Sequence, residues 1–305
     1  MKLTPPIETV QKALGFLLAR QADDGSWRDW QLPLGQSRMW TTAYAGYRLC
    51  SIGAHRFAAT RPALDRAARW LLTQEFADGG WGYSHKAGAD ADSTALVILF
   101  LDALGMTPST RAYARLLAFQ CLDGGFATYA PPNGFGAWAM PQADVTAIAV
   151  TALLTRIDCS TPPVQRGIKY ALRSQSQSGL WNSYWWDSPL YATETNIAML
   201  LRAGAAFSFK PIRAALDSIE PKNCFERALH VLILDHLRRP VRELNEVLAH
   251  EQLEDGSWPA EPMLRLTDPE CCEPWNATEP GPLFADPDRI FTTATAIAAQ
   301  ARMTM

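Results

Sequence analysis

ADGGWGYSHKAGADADSTALVILFLDAL, residues 77–104, decides the fold. The stretch opens on a glycine-rich turn that ends at Trp81 and continues through a short polar loop. It then sets two carboxylates, Asp90 and Asp92, just before an apolar run. Thr94 to Leu101 is apolar nearly all round, which predicts a buried helix rather than a surface one. Asp90, Asp92 and Ser93 stand where helix N-caps belong. A carboxylate there either accepts backbone N–H groups or projects into whatever the buried helix surrounds, and the function turns on that choice.

Outward from this stretch the chain repeats itself. Residues 16–27 read FLLARQADDGSW, 70–81 WLLTQEFADGGW, 115–126 RLLAFQCLDGGF, 170–181 YALRSQSQSGLW and 247–258 VLAHEQLEDGSW. Each is the end of an amphipathic helix, a Gln, a polar turn with Gly, and then an aromatic. A second, more apolar helix follows each turn, at Thr41–Ala45, Asp92–Leu96, Asp144–Ile148, Glu194–Ala198, Phe225–Leu229 and Thr292–Ala296. A degenerate unit fits between the last two aromatics, around Ile212 to Asn223. The first helix of each pair is the charged one (Pro62–Trp70) and the second the apolar one (Ala147–Leu154). Six such pairs predict an all-α fold of two concentric rings, an (α/α)6 barrel; an open solenoid of hairpins is the competing shape. No sustained apolar–polar alternation announces a sheet. The Pro-rich segments Pro131–Gly134 and Pro259–Pro287 read as loops within one domain spanning 1–305. The longer one, 259–289, exceeds ordinary loop lengths and suits a lid over one mouth of the barrel.

Composition narrows the function. The chain has 305 residues, 48% hydrophobic and 19% charged, with a net charge of −3. That is not a nucleic-acid footprint. No apolar run is long enough to cross a bilayer, which leaves at most a peripheral membrane contact. Met1 to Pro6 lacks a signal-peptide pattern, so a cytoplasmic location is expected. The six cysteines have no framework spacing and read as thiols, with the adjacent Cys271–Cys272 pair the exception to watch. Asp158–Cys159 has the wrong spacing for a zinc site, and no His follows His250. No metal or other cofactor is expected.

The recurring Gln…Gly-x-Trp unit resembles the QW motif of the terpene cyclase and prenyltransferase superfamily. The likeness recurs five times along the chain. It implies that Gln21 with Trp27, Gln74 with Trp81, Gln120 with Phe126, Gln175 or Gln177 with Trp181, and Gln252 with Trp258 tie neighbouring outer helices together. Asp90-Ala91-Asp92-Ser93-Thr94-Ala95 looks like the Asp-x-Asp-Asp-Thr-Ala motif of class II terpene cyclases, which include the squalene–hopene cyclases. The resemblance implies that Asp92 is the general acid that protonates an alkene or epoxide and starts a cationic cyclisation, with Asp90 as its partner. The fourth position here is Ser93 rather than Asp, which makes an epoxide or another basic group the easier target.

Such chemistry needs an acid that keeps its proton, and a free Asp with a pKa of about 3.9 does not. Burial and a neighbouring carboxylate both raise it. His85 and Ser93 lie close enough in sequence to orient the acid. Asp144 and Glu194 begin the equivalent apolar helices, which puts three carboxylates at one mouth and offers acids or bases to end the cation. A carbocation also needs aromatic walls, each cation–π contact being worth about 0.5–2 kcal/mol. Trp40, Tyr44, Tyr129, Trp138, Trp185, Trp186, Tyr191 and Trp275 are the substrate-binding candidates. The expected substrate is an isoprenoid or a prenylated small molecule. Two other readings stay open: a lyase or isomerase using the carboxylates on a polar substrate, and a non-catalytic isoprenoid-binding barrel.

Overall fold

A computed structural model describes residues 6–130 and 135–303. The readings of residues 1–5 and of the Pro131–Gly134 loop lie outside the described residues. Twelve α-helices are present among them. The outer ones are α1 (Pro6–Ala19), α3 (Arg61–Thr73), α5 (Thr110–Leu117), α7 (Pro162–Arg173), α9 (Phe209–Leu216) and α11 (Arg242–His250). The inner ones are α2 (Met39–Ser51), α4 (Ala91–Ala103), α6 (Ala143–Leu153), α8 (Pro189–Arg202), α10 (Cys224–His236) and α12 (Ile290–Gln300).

The inner helices pack each on the next around a closed ring, with α12 returning to α2. The open solenoid is therefore excluded and the fold is an (α/α)6 barrel. The division of labour follows from composition. In α4, ten of thirteen residues are buried, from Ala91 through Leu101 apart from Asp92, whereas α3 buries only Ala63, Leu64, Ala67, Ala68 and Leu71 along one stripe. A helix apolar all round needs neighbours all round, and only the inside position supplies them.

The repeated turns stitch the rings together. The indoles of Trp27, Trp81, Trp181 and Trp258 each donate to the carbonyl ten residues earlier, at 2.7 Å. The repeat glycines Gly25, Gly79, Gly124, Gly179 and Gly256 all have positive φ. A Cβ on any of them would stand 2.3–2.7 Å from backbone of the next outer helix, so only glycine allows that approach. The last of these, Gly256, meets Lys12 of α1, and Gln252 Nε2 donates to Thr9 O, closing the outer ring as well. Gln21, Gln120 and Gln252 each bridge to a carbonyl of a neighbouring outer helix, and Gln175 to Gly179 O. The pairing of Gln74 with Trp81 is corrected: Glu75 stands at the repeat position and receives Ser109 Oγ, while Gln74 bonds His85.

A Thr at the start of every inner helix but α10 completes the unit. Thr42, Thr94, Thr146, Thr193 and Thr293 accept the backbone N–H of Trp27, Trp81, Phe126, Trp181 and Trp258, at 2.8–3.3 Å. These threonines fix the register of the repeat, and with it which side chains share a level inside the barrel.

Candidate active site

The register set by the threonines puts Asp92 level with Trp40, Asp144, Tyr191 and Phe291, each two residues before its Thr. Glu194 follows its Thr instead of preceding it, so its expected equivalence with Asp92 is corrected; Tyr191 is the equivalent residue. Glu194 is placed deeper, where Arg48 on α2 donates from both terminal nitrogens to its two oxygens at 3.2 and 3.0 Å. His236 stands 3.6 Å away. Burial works to raise Glu194's pKa, but the charges and hydrogen bonds of Arg48 and His236 prevail and hold it well below the usual range.

At the mouth of the barrel, Asp90 caps α4. Its carboxylate accepts Ser93 N and Tyr83 N, both at 2.7 Å. Asp92, two residues on in the first turn of α4, accepts the indole N–H of Trp40 at 3.0 Å. The two side chains are also hydrogen-bonded to each other. Burial raises both carboxyls above the usual range, and two adjacent buried carboxyls do not both ionise. Asp90 holds two backbone donors and Asp92 the Trp40 indole, and the pair shares the proton that burial keeps on it.

Asp92 is only half-buried and faces a largely apolar cavity that opens at the mouth. Trp30, Trp40, Tyr129, Trp138, Trp185 and Trp186 make the aromatic wall; Leu32, Leu34, Leu264 and Leu266 supply the aliphatic part. Asp90, Ser93, Thr128, Tyr83 and Arg265 also line it. Behind Trp40 and Trp186 the barrel is filled with further rings. Trp186 stacks on Phe291 at 4.7 Å between centroids, and Phe291 lies 4.2 Å from Tyr44. Tyr191 and Phe225 pack against the same cluster.

Leu264, Arg265 and Leu266 of the segment 259–289 line this cavity. The segment's hairpin pairs Pro262–Arg265 with Leu283–Ala285. The strand also meets the Trp185–Asp187 loop, through Arg265 N to Trp185 O at 2.7 Å and Asp187 N to Met263 O at 3.0 Å. Trp138 Nε1 donates to Thr267 O at 3.0 Å. The far end is pinned by two buried carboxylates at the start of α12. Asp29 accepts the N–H groups of Asp288, Ile290 and Phe291, and Asp286 those of Glu261 and Thr292. Burial pushes Asp29 up to about 8 and Asp286 to about 7.

Of the residues singled out in the sequence, Asp92, Asp90, Ser93, Trp40, Tyr129, Trp138, Trp185 and Trp186 come together around one cavity. Tyr44 and Tyr191 stand behind its floor. Asp144 does not reach it: it is buried, accepts Tyr184 N at 3.1 Å, and burial lifts it to about 6. His85 is exposed on the far side of the loop, bonded to Gln74, so an orienting bond from it to Asp92 is corrected. Trp275 is exposed and lines a different groove, with Tyr184 and Cys272. All six cysteines, the adjacent pair included, are free. No group of three or more His, Cys, Asp or Glu is set to hold a metal ion among the described residues. No helix among them is long and apolar enough to cross a membrane. Trp30, Tyr83 and Arg265 are cavity residues that the sequence pattern did not mark.

With this geometry in hand, comparison with known proteins is informative. Residues 3–98 match the family model of the squalene–hopene cyclase C-terminal domain. A probable squalene–hopene cyclase from Sinorhizobium fredii is 26% identical over 59% of this chain and 33% of its own length. A copalyl diphosphate synthase from Streptomyces cyslabdanicus is 34% identical over 32% of this chain and 17% of its own. The chain spans about a third or less of the length of the curated relatives it matches. The type II terpene cyclase MstE from Scytonema superposes with a TM-score of 0.87 at 24% identity, over 99% of this chain and 98% of that one. MstE has also been solved with geranylgeranyl dihydroxybenzoate as substrate. In sequence over its first third and in fold over its whole length, the chain resembles the class II terpene cyclase and squalene–hopene cyclase superfamily.

Proposed function

We propose that the protein is a class II terpene cyclase-like enzyme that protonates an isoprenoid or prenylated small molecule and closes its chain within the aromatic cavity. The observation that carries this is the placement of Asp92: a carboxyl whose pKa burial raises, paired with Asp90 and facing a hollow walled by indoles. Asp92 donates its proton to an alkene carbon or an epoxide oxygen, and the carboxylates then left on Asp92 and Asp90 face the cation that forms. The faces of Trp40, Trp186, Trp30 and Trp185 stabilise the cation as it migrates. Neither Glu194 nor Asp144 lines the cavity, so water at the open mouth takes the last proton or adds to the cation. Segment 259–289 acts as a lid that limits water to that step. The likeness to MstE supports an alkylated aromatic acid as one substrate type, and that to the copalyl diphosphate synthase a prenyl diphosphate.

The test is turnover of C15 and C20 prenyl alcohols, epoxides, diphosphates and prenylated benzoic acids by the native chain and by Asp92→Asn. A monocyclic or polycyclic product is expected from at least one of them, and the substitution should slow its formation by about 10²–10⁴-fold, the range for a lost general acid. Undiminished turnover by Asp92→Asn would overturn the assignment.

A further inference from the structure

Behind Trp40 and Trp186 the barrel is closed by one ring that touches most of the others. Phe291, at the start of α12, packs against Trp30, Trp40, Tyr44, Trp186 and Phe225 with centroids 4.2–5.1 Å away. Phe291, Phe225 and Tyr44 are buried, and none of them lines the cavity, whereas Trp40 and Trp186 do. The two indoles are therefore a floor, and Phe291 backs it. The next layer is polar. Tyr44 Oη shares a hydrogen bond with Thr295 Oγ1 at 2.8 Å and accepts the Nε–H of Arg48 at 3.1 Å. Arg48 in turn is held by Glu194. For the rings to sink, this buried ion pair would have to break, and breaking such a pair is costly. A cation that moved inward would meet the Arg48 guanidinium.

The opposite wall is the one that yields. Leu264 and Leu266 of the segment 259–289 form it, and the hairpin there has only two strands, with Pro262 and Leu283 exposed. Such a hairpin is marginally stable by itself. Between this wall and the floor the enclosed space is about 70 Å³. A hollow of about 150 Å³ in an engineered core takes a single benzene. Room for a carbocycle therefore comes from outward movement of the hairpin, and a fused polycycle finds none inward. Asp92 stands level with Trp40 and Phe291 in the repeat. The end of the chain that receives the proton thus lies at the floor, and the remainder leads to the mouth.

We infer that Phe291 sets the depth of the cavity and with it the number of rings formed: one or two close beside Asp92, and further isoprene units stay acyclic. The inference rests on the proposed cyclase reading and narrows it to a product class, a mono- or bicyclic terpenoid with an open chain. Phe291 acts through Trp40 and Trp186 and is a positioning residue. Each ring closure makes one carbon–carbon bond from one alkene electron pair and passes the positive charge along the chain. Loss of a proton to water, or addition of water, then ends the sequence.

The experiment uses the full chain and offers farnesyl and geranylgeranyl alcohols, terminal epoxides, diphosphates and hydroxybenzoate conjugates. Rings are counted by NMR and by the alkenes left for hydrogenation. The native chain should form the same one or two rings from either chain length, so that the geranylgeranyl product keeps one more alkene. Phe291→Leu and Phe291→Ala should raise the share of geranylgeranyl product with a further ring by about tenfold or more, the discrimination that one methylene in a pocket gives. That share compares products of one preparation, so a partly unfolded variant does not imitate it. Phe291→Leu, the smaller cut, decides if Phe291→Ala does not fold. A main native product with three or more rings, a ring count that grows with the chain, or an unchanged count in the folded variants overturns the inference and leaves the cyclase reading intact. No cyclised product from any probe overturns both.

Discussion

Replacing Glu194 by Gln isolates what the deeper carboxylate does. Arg48 and Glu194 are bonded through two N–H···O contacts, with side chains only 10% and 6% exposed. Gln keeps the shape but leaves the guanidinium without its counter-charge inside the barrel. Breaking one partner of such a buried pair costs about 3–5 kcal/mol. At about 2.1 cal/mol/K per residue, the 305-residue chain has an unfolding entropy near 0.6 kcal/mol/K, so the midpoint should fall by about 5–8 °C. Thermal melts followed by circular dichroism at pH 7.5 read this directly. The pH dependence gives a second check. Because Glu194's folded pKa is depressed, its contribution is complete above the unfolded value of about 4.3 and is lost as pH falls through the folded one. The gap between native and Glu194→Gln melts should therefore narrow below about pH 4. Arg48→Met with Glu194→Leu should recover most of the loss, since apolar replacements of a buried pair are often neutral. Below its melting range, Glu194→Gln should turn over substrate at the native rate. A midpoint within 1–2 °C of native, or a loss of turnover without a loss of stability, would contradict the structural role given to this pair.

Three further outcomes are expected. Because the acid must be protonated to act, the rate should fall as pH rises past the pKa of the Asp90–Asp92 pair; Asp90→Asn removes the neighbouring charge and should move that limb to lower pH, as a pH–rate profile would show. Thr146→Val leaves Phe126 N–H unpaired in the core, at a cost of about 1–3 kcal/mol and a midpoint lower by about 2–5 °C. At Gly82 a Cβ would lie 1.7 Å from Gly88 O; Gly82→Ala must shift the loop that holds Tyr83 N on Asp90, and a displacement of about 1 Å should slow turnover about 10²-fold, measurable by steady-state kinetics.

The barrel was legible because its units repeat: the Gln, the positive-φ Gly and the aromatic recur wherever an outer helix must meet the next. The acid pair was legible because it interrupts an otherwise apolar helix start. The register was misjudged at Glu194 although the correcting signal is in the sequence. Thr42, Thr94, Thr146, Thr193 and Thr293 align the inner helices, and Tyr191, not Glu194, then falls beside Asp92. The same alignment by the aromatic puts Glu75, not Gln74, at the repeat position. Nearness along the chain misled at His85, where the loop carries the ring outward to Gln74. Arg48 was a lone cation in a buried helix, and its match with the lone anion of α8 was available from the pattern. Arg265 was not: segment 259–289 has no repeat to read, and its place in the cavity lining exists only once the hairpin and the Trp185–Asp187 loop are brought together.

The claim beneath all of this is that Asp92 gives the initiating proton. In D2O that carboxyl exchanges to Asp92–OD before each turnover. An alkene substrate should then give a cyclised product with one deuterium bound to carbon at the site of protonation, seen by mass spectrometry and located by NMR. Such a product free of carbon-bound deuterium, or one formed at the native rate by Asp92→Asn, would contradict it.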